Sequence, residues 1–179
     1  LACNWKVFVD NYLDGGYHVN SVHPTLGSVL QYSEYRTECF AATSLQSSPL
    51  RPGDPATDAD VSDTRKGDLA RYAWAFPNVM VNLYAGVMDT NVVFPLGPDR
   101  CRVMIDFYFA QRDGAEGQAF AARSVELGHR IQLEDVGICE DVQRGLGSRS
   151  YSTGRFSVRR EVAVHHFHRL LAARLQVPG

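Results

Sequence analysis

Apolar residues recur at Trp5, Phe8, Val9, Tyr12, Leu13 and Tyr17, the i, i+3, i+4 spacing of one helix face, and Asn4 stands where an N-cap belongs. The spacing predicts a helix over 5–18. Between 29 and 48 that period is lost, and short β-favouring stretches such as Tyr35–Ser44 replace it. Gln46 to Asp68 holds Pro49, Pro52, Gly53 and Pro55 without any apolar period, which predicts a mobile loop at about 46–69. Tyr72–Phe76, Val79–Tyr84, Val87–Phe94 and Arg102–Ala110 then follow, separated by Pro77, Gly86 and Leu96-Gly97-Pro98-Asp99, the signature of an antiparallel meander. A long helical pattern covers roughly 117–146 and closes on Gly145 and Gly147; a last helix covers about 160–175. A helix, a twisted sheet and a long C-terminal helix predict an α+β fold with an apolar cavity between sheet and helix.

Composition narrows the class. With 179 residues, 45% of them hydrophobic and 21% charged, the chain has the size of one domain, 1–179, with a real core. A formal charge of -2 offers no basic field for nucleic acid, and no apolar run approaches the ~20 residues of a membrane helix. The expected partners are therefore a small molecule or another protein, not nucleic acid or a membrane. Cys3, Cys39, Cys101 and Cys139 are widely spaced, so a reducing compartment is expected, cytoplasmic or an organelle interior. The chain begins Leu1-Ala2-Cys3 without an initiator Met, which reads as part of a longer polypeptide whose targeting segment is missing.

Two features carry chemistry. In Tyr17-His18-Val19-Asn20-Ser21-Val22-His23-Pro24 two histidines lie five residues apart. On an unbroken helix they would point ~140° apart, but Pro24 drives His23 out of the α region, so the chain can bring the second imidazole back towards the first. One buried and one surface histidine is the ordinary alternative. The second feature is Asp135, which heads an apolar stripe of Ile138, Cys139, Val142 and Leu146, whereas Glu134, Gly137, Asp141 and Arg144 make the polar face. An inward carboxylate must be protonated, paired or metal-bound. Two histidines and a carboxylate form the facial set that holds Fe(II) while leaving positions open, and zinc accepts the same donors. His165, His166 and His168 are assigned packing and surface roles, and Gly15-Gly16 close packing beside the histidines. Tyr84, Phe94, Phe107 and Phe109 are candidates for cavity wall or core.

Asn4-Trp5-Lys6, Asp10-Asn11, Tyr17-His18 and His23-Pro24 together resemble the iron-binding signature of the Rieske-type non-haem iron oxygenases, the ring-hydroxylating oxygenase α subunits. Within that family the chain is most similar to the choline monooxygenases. The similarity continues through Phe76-Pro77-Asn78, Met88-Asp89-Thr90-Asn91, Pro95-Leu96-Gly97-Pro98, Glu134-Asp135-Val136, Val142-Gln143-Arg144-Gly145-Leu146 and His165-His166-Phe167-His168. It implies a helix-grip (START-like) catalytic domain, a curved antiparallel sheet around a long C-terminal helix, with mononuclear Fe(II) on His18, His23 and Asp135. It further implies O2-dependent hydroxylation of a small organic substrate, a quaternary amine such as choline or an aromatic compound, and a homotrimer in the full-length form. Electrons come from a [2Fe–2S] Rieske domain and a reductase. No cysteine here has a histidine two or three residues beyond it, so that cluster belongs to a separate or missing domain. The alternative is a non-catalytic small-molecule carrier of the same fold. Two departures stand out. The family's acid three residues before the first ligand histidine is Gly15 here, leaving Asp14 and Glu134 as candidate catalytic acids. Leu83 and Val87 replace an Arg and a Trp of the choline monooxygenase pattern, which puts choline in question.

Overall fold

A computed structural model describes residues 1–51, 61 and 63–176. Three short helices open the chain: α1 (Trp5–Leu13), α2 (Val19–Val22) and α3 (Pro24–Val29). Six strands follow: β1 (Arg36–Cys39), β2 (Thr43–Pro49), β3 (Lys66–Ala75), β4 (Val79–Ala85), β5 (Val87–Pro95) and β6 (Cys101–Phe109). They form one antiparallel sheet in chain order. Two helices close the chain, α4 (Gly114–Leu146) and α5 (Val162–Leu175). The expected α+β meander is present, with its four predicted strands as β3 to β6. Among the described residues no helix is long and apolar enough to cross a membrane.

Three boundaries differ from the sequence reading. The first helix starts at Trp5 as expected, with the Asn4 side chain accepting from the Lys6 amide, but ends at Leu13 rather than 18. Gly15 and Gly16 take φ of 72° and 70°, left-handed values that stop a helix and that glycine alone adopts without penalty. The stretch read as loop from Gln46 begins inside β2, and its other end lies inside β3. Between the two strands Val61, Thr64 and Arg65 are buried, unlike residues of a mobile loop, and 52–60 and 62 lie outside the described residues. β2 escaped notice because its inward residues are Ser44, Gln46 and Ser48, polar side chains where a strand pattern expects apolar ones. The third difference is in α4. Its buried face runs through Gly117, Ala121, Ser124, Leu127, Gly128, Ile131, Asp135 and Cys139. Val142 and Leu146, expected to continue the stripe, are exposed, although Gln143 beside them still accepts from the Asn4 amide at 2.7 Å.

The core divides into two clusters. One joins α1 and α5 to the sheet through Val9, Leu13, Trp74, Met80, Val93 and Phe167; the other gathers Leu26, Val29, Tyr72, Tyr84, Leu127 and Ile131. Strand register explains the polar row at the second cluster. Gln46, Tyr72, Asn82, Asp89 and Phe107 are lateral neighbours across β2 to β6. One row of the sheet's inner face is thus mostly polar, and the cavity lies over it.

α5 is tied to α1 by His168, whose Nε2 lies 2.8 Å from Asp10 Oδ1. The Asp10 hydrogen bond raises the His168 pKa against the opposing pull of burial; burial raises that of Asp10 although His168 pulls it down. A raised histidine pKa gives stability that is fully present below the unfolded value of about 6.5 and is lost as pH rises through the folded value. Melting temperature is therefore expected to fall as pH rises above about 6.5, and His168→Gln should flatten that part of the profile. An unchanged profile in His168→Gln would remove this pair as its source.

Candidate metal centre

His18 and His23 flank the four-residue helix α2, one at each end. Gly15 and Gly16, both ahead of His18, end α1 and set where α2 and its two flanking histidines begin. His23 itself has φ -118° and ψ 75°, outside the α region, as a residue before proline should be. A Cβ on Gly15 would stand 2.3 Å from the Arg160 carbonyl oxygen, and one on Gly16 2.9 Å from the Tyr35 ring. The close packing expected of this pair is what the structure contains. Gln46 fastens the turn from the sheet side: its Oε1 accepts from the Gly15 amide at 3.1 Å, and its Nε2 donates to the Tyr12 carbonyl at 2.8 Å.

The third group comes from α4. Asp135 is buried, and its Oδ1 lies 3.0 Å from His23 Nε2 and 3.7 Å from His18 Nε2. One donor atom from each residue lies within 4.8 Å of the others, and among the described residues this is the one group that could hold a metal ion. Asn11, in the last turn of α1, donates from Nδ2 to the same Asp135 oxygen at 2.8 Å.

The outer faces of both imidazoles are also occupied. Asp14 Oδ2 lies 2.6 Å from His18 Nδ1, and Glu134 Oε2 lies 2.6 Å from His23 Nδ1. Carboxylates accept, so each Nδ1 carries the proton and donates outward, which leaves each Nε2 lone pair facing inward. At His23 that arrangement sets a lone pair 3.0 Å from a carboxylate oxygen. Two acceptors hold that distance only with a proton or a metal cation between them. Burial lowers the His23 pKa, but Asp135 and Glu134 together outweigh it and raise the value. The donor set therefore fits a divalent metal: two neutral imidazoles pre-set in the binding tautomer and one carboxylate. Fe(II) and zinc both satisfy it.

A cavity of about 110 Å³ opens beside these residues. Its wall includes Tyr12, Tyr35, Tyr72, Tyr84, Phe107 and Ile131, and its charged residues besides the metal centre are Arg65 and Asp89. Of the four aromatic residues named from sequence, Tyr84 and Phe107 line it, Phe109 packs in the second core cluster, and Phe94 is exposed. Leu83 faces solvent and Val87 is buried in that cluster. Neither lines the cavity, so the two departures that put choline in question act away from it. His165 and His166 pack against Phe156 and Trp74, in the packing roles expected. Asn11, Gln46 and Arg65 were not named as site residues from sequence. Asn11 sat inside the signature as an ordinary helix residue, and the other two become visible only when β2 and β3 are brought into register.

A family model described as ring hydroxylating alpha subunit (catalytic domain) matches residues 1–177. A choline monooxygenase, chloroplastic, of Arabidopsis thaliana is 46% identical over 177 residues, covering 99% of this chain and 40% of the relative. The protein of the same name from Beta vulgaris is 36% identical over 176 residues, 98% of this chain and 38% of the relative. A solved structure of the quaternary ammonium Rieske monooxygenase CntA with an inhibitor superposes with a TM-score of 0.78 at 26% identity, covering 97% of this chain and 47% of that one. The chain thus spans less than half the length of each of these relatives.

Proposed function

The chain belongs to the family of ring-hydroxylating oxygenase α-subunit catalytic domains, and from that premise we propose that it holds one Fe(II) on His18, His23 and Asp135 and hydroxylates a small quaternary amine with O2. The observation that carries this reading is the pair of carboxylates behind the imidazoles. Asp14 and Glu134 fix both histidines with their Nε2 atoms turned towards Asp135. A carrier of the same fold has no use for three convergent donors and two orienting acids.

Iron bound here would supply the site for O2 reduction. The chain's own residues do the rest. Asn11 holds Asp135 by one hydrogen bond, leaving the other carboxylate oxygen out of that bond, and the glycine turn fixes where α2 carries the two rings. The tyrosine-rich wall excludes bulk water and receives an organic cation by its ring faces. Asp14 and Glu134 were candidates for the link to an electron donor. In the proposed assignment they first orient the ligands, and Asp14, which also accepts from the His18 amide, is built into the turn. The electron donor is a Rieske [2Fe–2S] domain served by a reductase, in a homotrimeric full-length protein. The relatives' chloroplastic names support an organelle interior.

Glu134→Gln keeps the side chain's size but weakens its hydrogen bond to His23. Fe(II) affinity is expected to drop by about 10–100-fold, the usual effect of losing an orienting group behind a ligand. Unchanged affinity would separate Glu134 from the site. To test the activity, the Fe(II)-loaded chain is incubated with hydrogen peroxide and a panel of quaternary amines and aromatic compounds. Peroxide brings oxygen already reduced by two electrons and so bypasses the donor. Hydroxylated product is expected by mass spectrometry, and product that forms equally without metal would contradict the assignment.

A further inference from the structure

Arg65 is the residue of the cavity that the oxygenase reading leaves without a task. It directly precedes β3, is 6% exposed, and its Nη1 is buried with no hydrogen-bond partner. A guanidinium N–H out of water and unpaired is costly, and native structures keep such groups for a partner that arrives. Its Cζ stands 4.8 Å from the centre of the Tyr84 ring, so an internal cation already occupies the ring face that an ammonium ligand would otherwise use. Asp89 makes no ion pair with it within 4 Å: Arg65 pulls on the Asp89 charge only through space, and Asn82 and Asn91 both donate to Asp89 Oδ1 at 2.8 Å. The cavity therefore contains a buried cation and a buried anion, with Asp89 bonded to the two asparagines and Arg65 carrying an open donor.

We infer that Arg65 is a specificity-determining residue that binds a carboxylate on the substrate, so that the site selects a small zwitterion over an alcohol such as choline. The inference rests on the quaternary-amine reading above. Distance along α4 supports it. A Cβ on Gly128 would lie 3.8 Å from Arg65 Nη2, so the guanidinium sits at the level of Gly128, seven residues before Asp135. That separation is about 10 Å along the helix axis. A charged hydrogen bond takes up roughly 3 Å of it, which leaves the span of a short aliphatic chain between the anion and the metal centre. Gly128 makes room for this arrangement: any Cβ there would also meet Phe107 Cζ at 2.7 Å. A trimethylammonium carboxylate satisfies the open donor at one end and has a cationic group to set against Asp89 and the remaining tyrosine faces. Choline brings only a neutral hydroxyl to Arg65.

Calorimetric titration of the 179-residue chain with 4-(trimethylammonio)butanoate, its methyl ester, choline and butanoate tests this without turnover. The acid should bind at least tenfold more tightly than its ester. Arg65→Gln should erase that difference while leaving ester and choline affinities near their starting values, and Arg65→Lys should restore part of it. Equal binding of acid and ester to the unmodified chain overturns the inference, and this comparison needs no variant, so a misfolded Arg65→Gln cannot obscure it. A preference that survives in folded Arg65→Gln overturns it as well, as does binding of none of the four. If the quaternary-amine reading alone were wrong, butanoate would still bind in an Arg65-dependent way while none of the three trimethylammonium compounds gained over it. If the Arg65 inference alone were wrong, all three trimethylammonium compounds would bind with no advantage to the carboxylate.

Discussion

Gly15→Ala is expected to destabilise the chain by about 2–4 kcal/mol and to take metal binding with it. Two costs add. At φ 72° a side chain with a Cβ sits in the left-handed region, at roughly 1 kcal/mol against glycine. The added methyl also falls 2.3 Å from the Arg160 carbonyl oxygen, and that neighbour is backbone, which cannot rotate away. Forcing the loop before α5 outward is an overpacking change, ordinarily about 1–3 kcal/mol. The turn cannot move without moving Asp14 and His18, so the loss should appear in metal affinity as well as in denaturant midpoint. Gly137→Ala is the matching control. Gly137 lies mid-helix in α4 with no atom within 4 Å of its added Cβ, and alanine there should be neutral or stabilising by up to about 1 kcal/mol. A Gly15→Ala midpoint within about 0.5 kcal/mol of the parent, the range of ordinary surface changes, would show that the turn tolerates a Cβ and does not hold the histidine segment in place.

The same turn marks the limit of what the sequence discloses. His18 and His23 were legible as a pair because they stand in a recognisable signature, and Asp135 because a carboxylate interrupts a 3.6-residue apolar period. The break that lets the two histidines converge was assigned to Pro24, since proline is the usual helix breaker. His23 does leave the α region before Pro24, and what the sequence does not disclose is the role of the glycine pair ahead of both histidines, which ends α1 and depends on Arg160 and Tyr35, from distant parts of the chain. β2 and the cavity floor were hidden for another reason. Ser44, Gln46 and Ser48 face inward, and inward polar residues are indistinguishable from loop residues until their partners are known. Gln46 finds those partners at Gly15 and Tyr12; Asp89 finds its own at Asn82 and Asn91. Each contact needs strand register or long-range packing, which local periodicity does not encode. The far end of α4 failed in the opposite direction: Val142 and Leu146 keep the apolar period although both are exposed.

The second large effect concerns the metal itself. His23 is almost fully buried between Glu134 and Asp135, and replacing it removes one of three donors and leaves two acids facing an empty space. Removing a ligand is expected to cost more than removing an orienting group, so His18→Ala, His23→Ala and Asp135→Ala should each weaken Fe(II) binding by more than about 100-fold, the upper range for orienting groups. Glu134→Gln should fall between these variants and the parent. The order matters, because a surface cluster that binds iron adventitiously would lose affinity in rough proportion to charge, with Asp135→Ala and Glu134→Gln alike and the neutral imidazoles least affected.

The measurement that bears most directly on the account is iron stoichiometry after anaerobic loading and gel filtration, on the parent chain and the two histidine variants. One Fe(II) per chain in the parent and almost none in either His18→Ala or His23→Ala is the expected result. Full iron retention in both variants would contradict the assignment of His18, His23 and Asp135 as the metal centre.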